Sequence, residues 1–212
     1  MALIARPYTP ADFMPVRDML VETFRAWPQL RNWRLERWNW CRYSCVPYLV
    51  SWPRDLHPTP EESLAGIRFW EEHIRVWEDD GRIVGMVHTE SGRELGQCFV
   101  ERRPGYSAML PKAIEWAEAH LAADDGKLVV WAADGDDELC SVLTAKGYVL
   151  QSGWRDPNAC YAIGTPPTPT LPEGFTVSSM AKGGDISRRA EAIGRGFGHE
   201  NPRDWGTVAH YQ

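Results

Sequence analysis

The sequence predicts an α/β fold (α+β in layout). A mixed central sheet is flanked by helices and followed by the opening of a second unit of the same kind. Three observations carry this. The apolar period is helical up to His73, alternates from Ile74 to about Val100, and is helical again after Ser107. The apolar run Lys127 to Ala132 reads as a strand covered on both faces. Thr165 to Pro172, with four prolines in eight residues, reads as a stiff linker between a long first part and a short second one.

Each element follows from local chemistry. Ala2 to Tyr8 alternates weakly and reads as a short strand. Thr9 is placed to cap a helix, with Pro10 at its first position and Asp12 where a capping box needs an acid. Phe13, Val16, Leu20, Phe24 and Trp27 recur at helical spacing, giving one buried face. Residues 30–50 read as helical. They hold Trp33, Trp38, Trp40 and Tyr43 among Arg31, Arg34, Arg37 and Arg42. Prolines 53, 58 and 60 make 51–60 a loop, and Thr59 with Glu62 opens a helix to about His73.

Three strands follow as an antiparallel meander. Ile74 to Glu78 turns through Asp79-Asp80-Gly81 into Arg82 to Thr89, and Ser91-Gly92-Arg93 turns into Glu94 to about Val100. Residues 101–106 read as a loop, and Ser107 caps a helix to about Ala122 whose inner face is Leu110, Ala113, Ile114, Ala117 and Leu121. After the strand at Lys127, Asp136 or Asp137 caps a helix through Lys146, which Gly147 closes. Tyr148 to Trp154 and Ala159 to Ile163 read as a final hairpin.

The domain reading is therefore 1–164, a linker at 165–173, and 174–212. At an offset of 173 residues, Ile4 falls on Val177, Asp12 on Asp185, Phe13 on Ile186, Leu20 on Ile193 and Phe24 on Phe197. This reads as a repeat of the first strand and helix. The 36 residues from Val177 onward are too few for a core of their own. The expectation is a second copy completed past Gln212 or by a partner, a homodimer being one such arrangement.

Composition narrows the function classes. Hydrophobic residues at 43% and charged residues at 25% give a core that needs no disulfide or metal. A net charge of -6 is the wrong sign for a nucleic-acid binder driven by phosphate attraction. No apolar run approaches membrane-span length. The cysteines at 41, 45, 98, 140 and 160 are odd in number and scattered, with no Cys-x-x-Cys pair, so neither a disulfide framework nor a metal site is expected. A reduced, cytoplasmic chain is the simple reading.

Three segments carry a family resemblance: Ile4-Ala5-Arg6-Pro7-Tyr8-Thr9-Pro10-Ala11-Asp12, Gly81-Arg82-Ile83-Val84-Gly85-Met86, and Leu143 to Tyr148 (LTAKGY). In that order and spacing, over residues 2–164, the chain resembles the GNAT superfamily of acetyl-CoA-dependent N-acetyltransferases, and tandem two-domain members in particular. The resemblance implies the GNAT acyl-CoA N-acyltransferase fold. It also implies acetyl transfer from acetyl-CoA to a primary amine of a small molecule or peptide, without metal.

The family holds the acetyl-CoA pyrophosphate in the loop after the fourth strand, through Arg/Gln-x-x-Gly-x-Gly/Ala. Helix N-terminal amides favour an anion there. Arg102-Arg103-Pro104-Gly105-Tyr106-Ser107 matches as Arg-x-x-Gly-x-Ser, so Arg102, Arg103, Gly105, Tyr106 and Ser107 take the cofactor positions. The amides near Phe99 and Val100 would polarise the thioester carbonyl. Read without the family, the same segment is a capped turn with two solvated arginines.

For catalysis, the family's tyrosine four residues before the helix-ending glycine falls on Leu143, which has no proton to give, and Tyr148 takes a core position. His88, Glu90 and Glu94 are the candidates for general base, and read without the family each is a solvent-facing strand residue. The tryptophan-rich segment is readable as a substrate lid, as helix packing, or as a partner surface. Two functions stay open: an N-acetyltransferase, or a non-catalytic GNAT-shaped module for dimerisation or ligand sensing.

Overall fold

The structure is a computed structural model. It describes residues 3–26, 35–46, 59–153, 155, 164–165, 168, 170–177, 179, 184–196 and 198. The chain divides into two compact units, Met1–Val149 and Leu150–Gln212.

The first unit holds a five-stranded sheet in the order β1-β2-β3-β4-β5. The strands are β1 (Ile4–Pro7), β2 (Arg75–Asp79), β3 (Arg82–His88), β4 (Gln97–Arg102) and β5 (Val129–Trp131). The first four pair antiparallel, and β5 lies parallel to β4. The helices are α1 (Phe13–Ala26), α2 (Leu35–Trp40), α3 (Pro60–Glu72), α4 (Leu110–His120) and α5 (Asp137–Ala145). A π-helical turn, Cys41–Cys45, extends α2.

Two apolar clusters lie on opposite faces of the sheet. One joins Phe13, Val16 and Leu20 of α1 with Trp38, Trp70, Met86 and Phe99. The other joins Val87, Cys98 and Val100 with Ala113, Ile114 and Ala117 of α4 and Leu139 of α5. Strand alternation sends successive residues of β4 to these two faces in turn. The result is a mixed sheet between helical layers, as expected.

The starts and stops follow the sequence signals. Asp12 accepts from both the amide and hydroxyl of Thr9, at 2.7 and 2.9 Å. Thr59 and Glu62 form the reciprocal capping box, at 3.2 and 2.8 Å. Asp80 and Gly81 both have positive φ, 51° and 72°, which the two-residue β2–β3 turn requires. Gly147, at φ 86°, ends α5 in a Schellman motif, with Gly147 donating to Thr144 and Tyr148 to Leu143. Gly85 has a packing role, because a Cβ there would lie 2.3 Å from Met109 Sδ. Glycine at this position lets Met109 lie flat on β3.

Four expectations need correction. The inward stripe of α1 is Phe13, Val16, Met19, Leu20 and Thr23. Phe24 is 49% exposed because it lies one helical step past Thr23. β4 begins at Gln97 and runs through Arg102, so Glu94 lies before the strand and Glu101 within it. β5 is covered on both faces only in part: Trp131 packs on one apolar cluster and Val130 on the other, and all three of its residues stay half-buried. Residues 148–153 form no strand, while residues 156–163 of the expected hairpin lie outside the described residues, as do Trp27, Trp33 and Trp52.

In the second unit, α6 (Ile186–Gly196) stands where the repeat reading expects a helix, with Asp185 accepting from the Arg188 amide at 3.1 Å. Among the described residues around Val177, 175–177 and 179, none lies in a strand. Among the described residues, no helix is long and apolar enough to cross a membrane.

Arg6 ties the first strand to its neighbours. It binds Asp12 through two bonds of 2.7 Å and Glu78 at 2.8 and 2.9 Å. Burial would raise the Asp12 carboxyl, but the hydrogen bonds from Arg6 and Thr9 outweigh it and hold it below the usual aspartate range. A depressed carboxyl stabilises the fold above its unfolded value and loses that contribution as pH falls through the folded one. Urea titrations from neutral pH to below about pH 4 should show stability falling, with a shallower fall in Asp12→Asn.

Candidate functional site

β4 is the strand around which the site is built. Its ladder with β3 runs from His88↔Phe99 to Gly85↔Arg102, but its ladder with β5 stops at Phe99↔Trp131. Val100, Glu101 and Arg102 therefore continue past the last β5 pair.

The segment that follows is a tight turn. Tyr106 donates its amide to the Arg103 carbonyl at 3.3 Å, with Pro104 and Gly105 (φ 87°) at the turn's two central positions. That is the arrangement a type II turn demands. A 3-10 turn, Ser107–Met109, then leads into α4. Among the described residues, the amides of Gly105, Ser107 and Ala108 bond no main-chain carbonyl. The Tyr106 hydroxyl donates to Asp79 at 3.0 Å, which pins the turn to the end of β2.

The two arginines of the motif are not solvated. Arg102 is buried in a forked pair with Asp136, two bonds of 2.7 Å, the side chains 1% and 2% exposed. It also donates to Glu138 at 2.9 Å and reaches Ser107 Oγ at 3.4 Å. Burial works against the Arg102 charge, but the hydrogen bonds to Asp136 and Glu138 more than restore it, so the guanidinium is held charged. Hydrogen bonds from Ser107 and Arg102 hold Glu138 below the usual glutamate range. One guanidinium thus faces two carboxylates. Arg103 donates to the Ile83 carbonyl at 3.0 Å and pairs with Glu22 of α1.

Asp136 has a second duty. Its Oδ1 accepts from the Leu139 amide at 3.1 Å, capping α5. The end of β4, the loop after it and the start of α5 are therefore fixed by one carboxylate and one guanidinium.

The candidate bases are spread apart. His88 is fully buried, stacked on Phe99 at 5.2 Å and edge-on to Trp38 at 5.9 Å. Burial pushes its imidazole down to about 3, so it is neutral at ordinary pH and too weak a base to hold a proton there. Glu90 lies in the loop after β3, bound to Arg37 of α2 through two bonds, one of them 2.8 Å. Glu94 is exposed in the β3–β4 loop, its amide donating to Ser91 Oγ at 3.0 Å. Leu143 is buried in the α4–α5 cluster and Tyr148 packs against it, donating to Glu118 at 3.2 Å.

Glu101 was missed by the sequence reading, which placed it in the loop. It is 5% exposed, two residues from Phe99, and so on the same sheet face as the His88–Phe99–Trp131 ring stack. Carrying the strand alternation two residues past Val100 would have found it. The Phe99–Trp131 rings stack at 5.9 Å and 5°, and the Arg37 guanidinium lies 5.7 Å from the Phe99 centroid. This face presents aromatic rings, one guanidinium and a strand-borne carboxylate. Among the described residues, no group of three or more His, Cys, Asp or Glu side chains could hold a metal.

Removing one partner of a buried pair strands the other charge. Arg102→Met should cost about 3–5 kcal/mol in urea unfolding. Arg102→Met with Asp136→Asn should recover part of that loss, since asparagine still caps α5. Equal losses in single and double variants would show that the pair does not hold the loop.

No family profile matches the chain, and no curated protein matches it. Solved structures do. A GNAT-family acetyltransferase of Streptococcus pneumoniae is similar at 16% identity and a TM-score of 0.41, covering 71% of this chain and 87% of that one. The protein TTHA1254 of Thermus thermophilus is similar at 14% identity and a TM-score of 0.37, covering 76% and 98%. Likeness at this level carries no argument about chemistry. With four antiparallel strands, a parallel fifth, and a helix opening just past the end of β4, the first unit resembles the GNAT superfamily in fold.

Proposed function

We propose that the first unit is an acetyl-CoA-dependent N-acetyltransferase acting on a primary amine of a small molecule or peptide. One observation carries the reading: β4 runs three residues past its last pair with β5 and leads to a helix start whose Gly105, Ser107 and Ala108 amides have no main-chain acceptor among the described residues. Such amides suit a diphosphate. Arg102 adds less than an unpaired arginine would, because Asp136 and Glu138 already face it.

In this reading the amides near Phe99 and Val100 hold the thioester carbonyl oxygen as charge develops on it. Glu101 takes one proton from the bound ammonium, the freed amine lone pair forms the new C–N bond, and the nitrogen gives up its second proton to solvent as the C–S bond breaks to release the thiolate. With leucine at 143, that thiolate takes its proton from solvent. The rings of Phe99 and Trp131, with Arg37 alongside, would bound the acceptor side. Cysteines scattered along the sequence without a Cys-x-x-Cys pair fit a reducing compartment such as the cytoplasm.

A second reading has an observation of its own. The forked Arg102–Asp136 pair, with Glu138 beside it, sets two carboxylates against the charge of Arg102. That favours a GNAT-shaped module without catalysis, serving in dimerisation or ligand sensing.

A thermal-shift titration with acetyl-CoA, alongside an amine-acetylation assay, separates the two. The enzyme reading expects stabilisation of about 2.7 kcal/mol at roughly 100-fold excess over Kd. It also expects Glu101→Gln to lower kcat by about 10²-fold or more while leaving that stabilisation in place. No stabilisation at millimolar acetyl-CoA would remove it. On either reading, Glu138→Gln should tighten any binding of acetyl-CoA, because it removes a carboxylate next to the loop amides. Isothermal calorimetry of the variant against the parent checks this.

A further inference from the structure

We infer that the β1 edge of the sheet is closed against a second copy of this chain, and that the Arg75 side chain is the removable part of the closure. β1 ends the sheet, since among the described residues no strand lies beyond it. Ile4 is 59% exposed and Leu3 38%, so the edge carries apolar side chains in the open. A strand left in that state is a template for pairing with another chain.

The register shows which main-chain groups face outward. In an antiparallel pair, alternate residues turn both their N–H and their C=O toward the partner strand. The Tyr8 amide donates to the Ile74 carbonyl at 3.2 Å, so Ile4, Arg6 and Tyr8 turn inward, to Glu78, Val76 and Ile74. Ala5 and Pro7 therefore turn outward, and so does Thr9, whose backbone is still extended.

Almost every outward group is already used. The Arg75 guanidinium reaches from β2 across the strand and donates to the Ala5 carbonyl at 2.9 Å. Pro7 has no N–H, and its carbonyl accepts from Arg6 at 3.0 Å. The Thr9 amide donates to Asp12 at 2.7 Å, and its carbonyl accepts from the Asp12 amide at 2.9 Å. Among the described residues, that leaves the Ala5 N–H. Strands in a sheet lie about 4.8 Å apart, so the two guanidiniums occupy space an incoming strand would need.

The two arginines are held differently. Arg6 is fixed by the carboxylates of Asp12 and Glu78. Arg75 pairs with no carboxylate among the described residues. Its Nε is buried without a hydrogen-bond partner, so the side chain lies down on the protein instead of extending into water. The Ala5 carbonyl is where its charge-bearing end comes to rest. On the reading of this chain as a dimerisation module, the dimer therefore uses another surface.

The test opens the edge. Arg75→Met keeps an apolar stem and frees the Ala5 carbonyl. Adding Pro7→Val supplies a second outward N–H, so two copies can pair antiparallel about Ala5. Sedimentation equilibrium should show the double variant associating about 10²-fold or more tightly than the parent chain, with Arg75→Met alone in between. Hydrogen exchange locates the contact. The Ala5 amide should exchange fast at every concentration of the parent and become protected as the double variant is concentrated. The single variant carries the same test if Pro7→Val folds poorly. The inference is overturned if the opened chain associates no more tightly than the parent, or if it associates while the Ala5 amide still exchanges fast. Protection of that amide on concentrating the parent itself would also overturn it.

Discussion

The forked pair between Arg102 and Asp136 sets the geometry of the first unit's candidate site. Arg102 is the last residue of β4, and Asp136 is the residue that starts α5. Their contact crosses the sheet's one parallel junction at the point where β5 has already ended. An ion pair this dry carries a heavy desolvation cost, repaid only by good geometry and by use of the remaining lone pairs. Here both conditions hold: the fork is bidentate, and Asp136 also accepts from the α5 backbone. The same contact neutralises the arginine that opens the Arg-x-x-Gly-x-Ser match to the GNAT cofactor loop. Structural economy and anion binding therefore compete for a single guanidinium.

Arg103 repeats the theme at lower burial. It faces the other side of the sheet, where it joins the β3 carbonyl at Ile83 to Glu22 of α1. Adjacent arginines thus staple both helical layers to the end of one strand. Between them and α4 lies a turn whose proline and glycine fix its path and whose tyrosine is anchored on β2. The loop is held at several points by protein groups before any ligand is considered.

Much of the architecture was legible because it rests on local chemistry. The capping residues Thr9, Thr59 and Asp136, the turn at Asp80-Gly81 and the closing glycine at 147 are all short-range signals, and each acts as its residue type dictates. The limits were equally physical. Phe24 reads as core because apolar spacing cannot distinguish i+7 from i+8 on a helix, whereas packing against the sheet does. Glu101 and Arg102 read as loop because charged residues break the apolar alternation, but partner groups brought from far along the chain make their burial affordable. Asp136 lies 34 residues from Arg102, and no local pattern announces such a pairing. The burial of Tyr8 was hidden for the same reason, since its neighbours Trp38 and Trp70 come from other elements.

The tryptophans of the first core have an optical consequence. Trp38 and Trp70 lie with ring centroids 4.9 Å apart and planes 47° from parallel, close enough and skewed enough for their indole transitions to couple. Such a pair contributes a signed exciton couplet to circular dichroism that isolated indoles lack. Trp38 comes from α2, while Trp70 comes from α3 and donates its ring N–H to the Thr89 carbonyl at 2.7 Å. The couplet is therefore an intrinsic gauge of whether α2 is seated against the sheet, readable without a label.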